Sequence, residues 1–484
     1  MLFFFVCGVR RAWGWGGLCA LWLALLPAAQ AQAPLPALLP PEVEAALARA
    51  GLPREALSVL VVDAQSPGAL PRLAHRTQVP MNPASVMKLV TTYAALDRLG
   101  PAYTWSTPVF VEGPVQGGRL RGNVYLQGRG DPKLVLERLW MLLRRLQAQG
   151  IDTIDGDIVL DRSAFELPAH DPARFDGESL RPYNVGPDAL LLNYQSVGMT
   201  FVPDGAAGWA RIQYDLPLAG VERQATVALA APGAACGDWR EGLRAELSDP
   251  GRMVFQGVYP AACGERLWTV APPDPQGFAA RAVAGLWREL GGRLTGQVRD
   301  GRVPAGLLPA FSATSPPLAE VVRDVNKFSN NVMAQHLLLT LALQKNGVAT
   351  LEGGRDALRQ WWQTRLPGAE PPWVDNGAGL SREARISAAA LGRMLQQAWA
   401  SPVMPELMAS LPIAGVDGTL RRSQSRPGSA HLKTGSLRDV AAMAGYVHAA
   451  SGRRYVLVAL VNHANAAAAR AALDALIDWT ARDF

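Results

Sequence analysis

Apolar residues recur at helical spacing at Val86, Leu89, Val90, Tyr93 and Leu96, until Gly100-Pro101 ends the run. Asn82 followed by Pro83 supplies an N-cap and a proline suited to the first helical position, so the pattern predicts a helix opening here. A second stripe, Val332, Met333, His336, Leu337 and Leu338, follows Ser329-Asn330-Asn331, and Ser329 reads as its N-cap. Strand patterns lie at both ends of the chain. Leu57 to Asp63 is rich in Val and Leu but alternates poorly, which predicts a buried strand, with a turn at Ser66-Pro67-Gly68 and a second strand near Leu70 to His75. Val440 to Val447 and Tyr455 to Val461 form a hairpin about Ser451-Gly452. Lys433-Thr434-Gly435 falls on a neighbouring strand of that sheet. Val43 to Ala50 and the alanine-rich run from Ala466 to Trp479 are helical. The ends therefore predict an α/β (α+β) unit, an antiparallel sheet flanked by helices, with its two halves meeting in space.

The texture changes between about Pro101 and Pro309. Val109 to Leu126 reads as strands with glycine turns, Leu134 to Gln149 as a helix and Ile151 to Leu160 as strand. From Leu190 to Cys263 only short β-like runs such as Ala225 to Leu229 occur, whereas Phe278 to Leu290 is helical again. One insertion nested in another is expected: a split unit over 32–101 and 310–484, an inserted α/β domain over 102–189 and 264–309, and a nested β-rich domain over 190–263. Gly128-x-Gly130 lacks the remaining glycines of a dinucleotide site and is read as a turn.

Composition adds compartment. Arg10-Arg11 precedes an apolar run from Leu18 to Leu26, and Ala29-Gln30-Ala31 offers a small-x-small cleavage site, so residues 1–31 are expected to be a signal peptide. The run is too short, and too interrupted by Pro27 and Gln30, for a membrane anchor. Removal of that segment takes the formal charge from +6 to +4, because it contains two Arg and no acidic residue. Two cysteines then remain, Cys236 and Cys263, and an even number in an exported chain points to one disulfide. The six histidines are scattered and no Cys-x-x-Cys or His-Glu-x-x-His occurs, so no metal site is expected.

The candidate chemistry comes from lysine. Five Lys stand against 42 Arg in the total of 47. Arginine stays protonated, whereas a buried lysine can lose its proton and act as a base. Lys88 lies three residues after Ser85, close enough for amine to reach hydroxyl, with the helix N-terminus favouring a developing alkoxide. Lys433 opens Lys433-Thr434-Gly435, and Lys327 stands two positions before Ser329. Each motif alone has an ordinary explanation, as a chance pair, a helix cap or a strand end. Their order along the chain is the stronger signal.

With Ser85-x-x-Lys88, Ser329-x-Asn331 and Lys433-Thr434-Gly435 in that order, the chain resembles the penicillin-binding, active-site-serine DD-peptidases. It is most similar to the low-molecular-mass class C group, the D-alanyl-D-alanine carboxypeptidase/endopeptidases. Gly128-Arg129-Gly130-Asp131-Pro132, Gly156-Asp157-Ile158, Pro182-Tyr183-Asn184, Asp375 to Arg382, Ala414 to Leu420 and Ser436 carry the likeness further, as does the long interval between Ser85 and Ser329. The resemblance implies a serine β-lactamase/DD-peptidase fold with two nested inserted domains, and no cofactor. It implies Ser85 as nucleophile, Lys88 as base, Ser329 as proton relay and Asn331 as a partner of the substrate amide. Lys433, Thr434 and Gly435 would serve the substrate carboxylate, and the backbone N–H groups of Ser85 and Ser436 an oxyanion hole. The implied partners are peptidoglycan peptide stems and β-lactams as covalent inhibitors, in the periplasm, with no nucleic acid and at most loose membrane association. Asp375-Asn376-Gly377 and Asp417-Gly418 either line the cleft or simply form turns. A class A β-lactamase would need a deacylating Glu, and no Glu between Ser85 and Ser329 has Asn four residues later. A non-catalytic cell-wall binding protein on the same fold would be expected to show a broken motif.

Overall fold

The computed structural model describes residues 38–483, so the signal peptide and its expected cleavage near Ala31 lie outside the described residues. The central sheet has five strands, all antiparallel, in the spatial order Ala430–Leu437, Val440–His448, Arg454–Asn462, Leu57–Asp63, Leu73–His75. Leu57–Asp63 alternates poorly because both of its faces are covered. Leu60 and Val62 pack among helices Lys88–Leu99, Asn331–Asn346 and Ala388–Trp399, whereas Leu57, Val59 and Val61 pack with helices Pro41–Arg49 and Arg470–Ala481. A strand buried on both sides need not alternate, and its one interior polar residue, Ser58, is itself buried and donates to Arg76 O at 3.0 Å.

Two helix starts differ from expectation. Ala84–Met87 is a 3-10 turn and the α-helix begins only at Lys88, while the Asn82 side chain accepts from the Ala84 amide at 2.8 Å and braces the turn. Ser329 is not the N-cap of the second helix. It terminates the preceding helix, Leu318–Phe328, in the left-handed region at φ 59°, and the Asn330 side chain caps Asn331–Asn346 by accepting from Met333 N at 3.1 Å. The Ser329 hydroxyl is thereby left for another partner.

A second five-stranded sheet runs Val298–Asp300, Ile158–Asp161, Val124–Gln127, Ser106–Val111, Phe311–Thr314, parallel over its first three strands and antiparallel over the rest. Leu139, Leu142, Leu143 and Leu146 of helix Leu136–Gln147, with Val283, Leu286 and Trp287 of helix Pro275–Glu289, share its core. A four-stranded sheet follows, in the order Thr226–Ala228, Trp209–Tyr214, Val197–Asp204, Arg266–Val270. Beside it Cys236 and Cys263 form the disulfide. The outer strands of these two sheets reach past residues 309 and 263. Buried His336 ties the catalytic-side helix Asn331–Asn346 to the 106–314 region: Nδ1 lies 3.0 Å from Gly130 O and Nε2 accepts from Asp188 N at 3.3 Å.

Candidate active site

The 3-10 turn eclipses residues three apart, and it brings Lys88 Nζ to 2.9 Å from Ser85 Oγ. Ala84, immediately before, takes a left-handed φ of 46°, a local strain held by the bonds of Asn82. Lys88 is fully buried and lies 2.6 Å from both Asn331 Oδ1 and Ala378 O. Burial first, and the charge of Lys433 second, push its pKa well below the ordinary lysine range. A neutral amine has two N–H donors and one lone pair. In that state the two carbonyl acceptors would take the donors and leave the lone pair to the Ser85 hydroxyl.

A second serine–lysine pair stands across the cleft. Lys433, on the edge strand Ala430–Leu437, places Nζ 2.9 Å from Ser329 Oγ and 2.7 Å from Thr434 O. Burial alone lowers its pKa to about 7. Gly435 is a glycine because the strand passes against the turn that carries Ser85: a Cβ there would stand 2.4 Å from Pro83 O and 3.0 Å from Ser85 N. Thr434 Oγ1 lies 2.6 Å from Thr419 Oγ1, and Ser436 is exposed on the same strand. Lys327 stays out of this chemistry. It is buried in an ion pair with Asp417 at 2.5 Å, and Asp417 also accepts from Ile413 N at 2.8 Å, so the pair anchors the loop that carries Thr419. For Asp417, burial would raise the pKa, but the hydrogen bond from Lys327 and its other contacts hold it below the usual carboxylate range.

Asn331 is committed at both ends, accepting from Lys88 and donating to Tyr183 O at 2.9 Å. It braces Lys88 against the Pro182–Asn184 turn. Of the two doubtful turns, Gly377 O accepts from Thr91 and Asn376 closes its own loop beneath Ala378, so the segment's contribution is a backbone carbonyl to Lys88. His431 lies beside His448, with ring centroids 5.1 Å apart. Among the described residues no cluster of three His, Cys, Asp or Glu is placed to hold a metal.

Ser85 and Ser329 open onto two lobes. The first is about 710 Å³ and is lined by Phe175, Asp176, Tyr183, Leu380, Arg382 and Arg438. Arg382 stacks over Phe175 at 4.9 Å and pairs with Asp439 at 3.2 Å, while Tyr183 donates to Asp176 at 2.9 Å. The second lobe, about 420 Å³, lies between Thr419–Ser423 and the start of the C-terminal helix. Phe175 and Asp176 as cleft residues, and the Arg470–Asp474 wall of the second lobe, went unmarked in the sequence because no spacing rule links them to the three motifs, whereas Thr419 lies within the stretch Ala414 to Leu420. Tyr183 and Arg382 sat inside stretches already noted.

Residues 39–483 match the family described as D-Ala-D-Ala carboxypeptidase 3 (S13). A D-alanyl-D-alanine carboxypeptidase of Actinomadura sp. (strain R39) is 27% identical over 390 residues, 76% of this chain and 71% of the relative. Penicillin binding protein 4 of Haemophilus influenzae superposes with a TM-score of 0.71 at 23% identity, covering 90% of this chain and 99% of that one. The same protein in complex with a novel β-lactam gives 0.67 at 24% identity, over 87% and 93%. At these identities the structural likeness speaks for the fold, a DD-peptidase fold with inserted domains.

Proposed function

Because the chain belongs to the D-Ala-D-Ala carboxypeptidase 3 (S13) family, and is on that ground a serine-type D-alanyl-D-alanine carboxypeptidase, we propose that Ser85 is its nucleophile, Lys88 its base and Ser329 its proton relay. Lys88 takes the Ser85 proton as Oγ bonds to the carbonyl carbon of the penultimate D-Ala. The peptide C–N bond breaks, the amine leaves with a proton passed through Ser329, and water then hydrolyses the acyl-enzyme. Lys433 and Thr434 meet the terminal carboxylate. The backbone N–H groups of Ser85 and Ser436 face the developing oxyanion. Asn331, committed to Lys88 here, would reach the substrate amide only by exchanging its Tyr183 partner.

The observation that carries this reading is the buried Lys88, 2.9 Å from Ser85 Oγ, its pKa pushed well below the ordinary lysine range by burial and by Lys433. A scaffold without activity has no use for a desolvated base aimed at a serine. Fluorescent penicillin is expected to label the protein covalently, with labelling abolished in Ser85→Ala; labelling that survives Ser85→Ala sinks the assignment of the nucleophile. The acyl-enzyme formed with penicillin is expected to be long-lived, since the deacylating Glu of a class A β-lactamase has no counterpart between Ser85 and Ser329. Rapid multiple turnover of a chromogenic cephalosporin would favour a β-lactamase instead. We also propose an endopeptidase activity on D-Ala-diaminopimelate cross-links, supported by a cleft extending on both sides of Ser85. The first 31 residues support a periplasmic location. Among the described residues no helix is long and apolar enough to cross a membrane. The catalytic domain on this reading is the split unit of 32–101 and 310–484, less the strand Phe311–Thr314, which pairs with Ser106–Val111 in the inserted sheet.

A further inference from the structure

The second lobe has chemistry of its own. Thr434 pairs with Met443 and Ser436 with Ala441 across neighbouring strands, so all four side chains share one face of the sheet and form the floor of the lobe. That floor is apolar beyond Thr434, and one wall begins the C-terminal helix with Arg470 and Asp474. Asp474 is turned inward. Only 8% exposed, it accepts from Ser423 Oγ at 2.6 Å and from Gln424 N at 3.1 Å. Arg470 is exposed, donates to the Arg422 carbonyl and has no ion pair among the described residues. Of the two charged groups on this wall, the one exposed to the lobe is therefore the Arg470 guanidinium.

With the carboxylate of the leaving residue at Lys433 and Thr434, the remainder of a longer leaving group extends into this lobe. A lobe of about 420 Å³ is in the range that holds a sizeable ligand, and a departing alanine leaves most of it empty. We infer that the second lobe seats the leaving strand of a cross-linked peptide, and that Arg470 selects a strand carrying a further carboxylate beyond the one on the amine-bearing carbon. Ala441, Met443 and Ala466 accommodate the aliphatic chain between the two anionic groups. The bond broken is the same C–N bond, and the departing amine takes the same relayed proton. The inference rests on the acyl-enzyme reading above and names the leaving group that site accepts.

The test compares three substrates on the purified protein: a pentapeptide stem that releases D-Ala, a cross-linked dimer, and that dimer with the further carboxylates of its leaving strand amidated. Arg470→Ala is expected to lower the dimer-to-pentapeptide ratio of kcat/KM about tenfold, chiefly through KM, as for one lost charge-assisted hydrogen bond. Arg470→Lys should recover most of the ratio. Amidation should impose the same loss on the unmodified protein and none on Arg470→Ala. A ratio within twofold of the unmodified protein in Arg470→Ala, an Arg470 effect that persists on the amidated dimer, or D-Ala release without dimer cleavage each overturns the inference while leaving the Ser85 reading standing. Failure of both penicillin labelling and D-Ala release overturns the two together.

Discussion

Two serine–lysine pairs face one cleft at the same 2.9 Å separation, and their lysines differ in what else they touch. Lys88 meets two carbonyl-type acceptors and the repulsion of Lys433, in a fully buried place. Lys433 meets one carbonyl and is lowered by burial alone, to about 7, so both of its protonation states are populated near neutral pH. Equal distances thus support a base at one position and a switchable cation at the other. What separates them is the placement of one positive charge beside another, on top of the burial both share.

The sharpest way to break that comparison is Lys88→Arg, which keeps the charge and removes the ability to release a proton. Acylation by penicillin is expected to fall by about a thousandfold or more, the scale of a lost general base, with an unchanged circular dichroism spectrum. Lys433→Arg should cost far less. Its informative readout is the pH profile of kcat/KM, which reports the free enzyme. The Lys433 pKa is lowered, so the cation is present below about 7 and is lost as pH rises through that value, weakening the hold on the substrate carboxylate. Arginine remains charged, so the variant is expected to lose the alkaline decline near pH 7 while keeping part of the activity. Equal losses at both positions, with the alkaline limb intact, would refute the division of roles. The smallest effect is expected from Asp417→Asn, which removes the carboxylate partner of buried Lys327 and loosens the loop holding Thr419 against Thr434. A loss of roughly three- to tenfold in kcat/KM for D-Ala release, on the order of 1 kcal/mol, is expected with acylation by penicillin less affected. A loss rivalling Lys88→Arg would mean that Lys327 takes part in the chemistry after all.

Much of this molecule was legible in residue order. The stripes beginning at Val86 and Val332 are helices, the hairpin about Ser451-Gly452 and the strand at Leu57 belong to one antiparallel sheet, and Cys236 is bonded to Cys263. Periodicity reports which faces are buried, and that is a local property of the chain. The helix starts were misread for a local reason too. Asn82 and Ser329 are good caps by residue type, but side-chain type does not reveal whether the oxygen is spent on a backbone amide or kept for a lysine more than a hundred residues away. Ser329 lies 104 positions from Lys433, and Asn331 lies 243 from Lys88.

The sequence by itself determined the chemical inventory: two serines, two lysines in an arginine-rich chain, and a glycine where a strand must pass close to a turn. Only the tertiary structure decided how far each lysine's pKa is lowered, because that depends on the desolvation created by segments 243 and 290 residues away that surround Lys88. It alone decided that Lys327 is an anchor, that Asn331 braces Lys88, and that the cleft continues past Thr434 to Arg470. Those properties arise from distances between segments remote in the chain, and burial and Coulomb interactions act through space irrespective of order along the backbone.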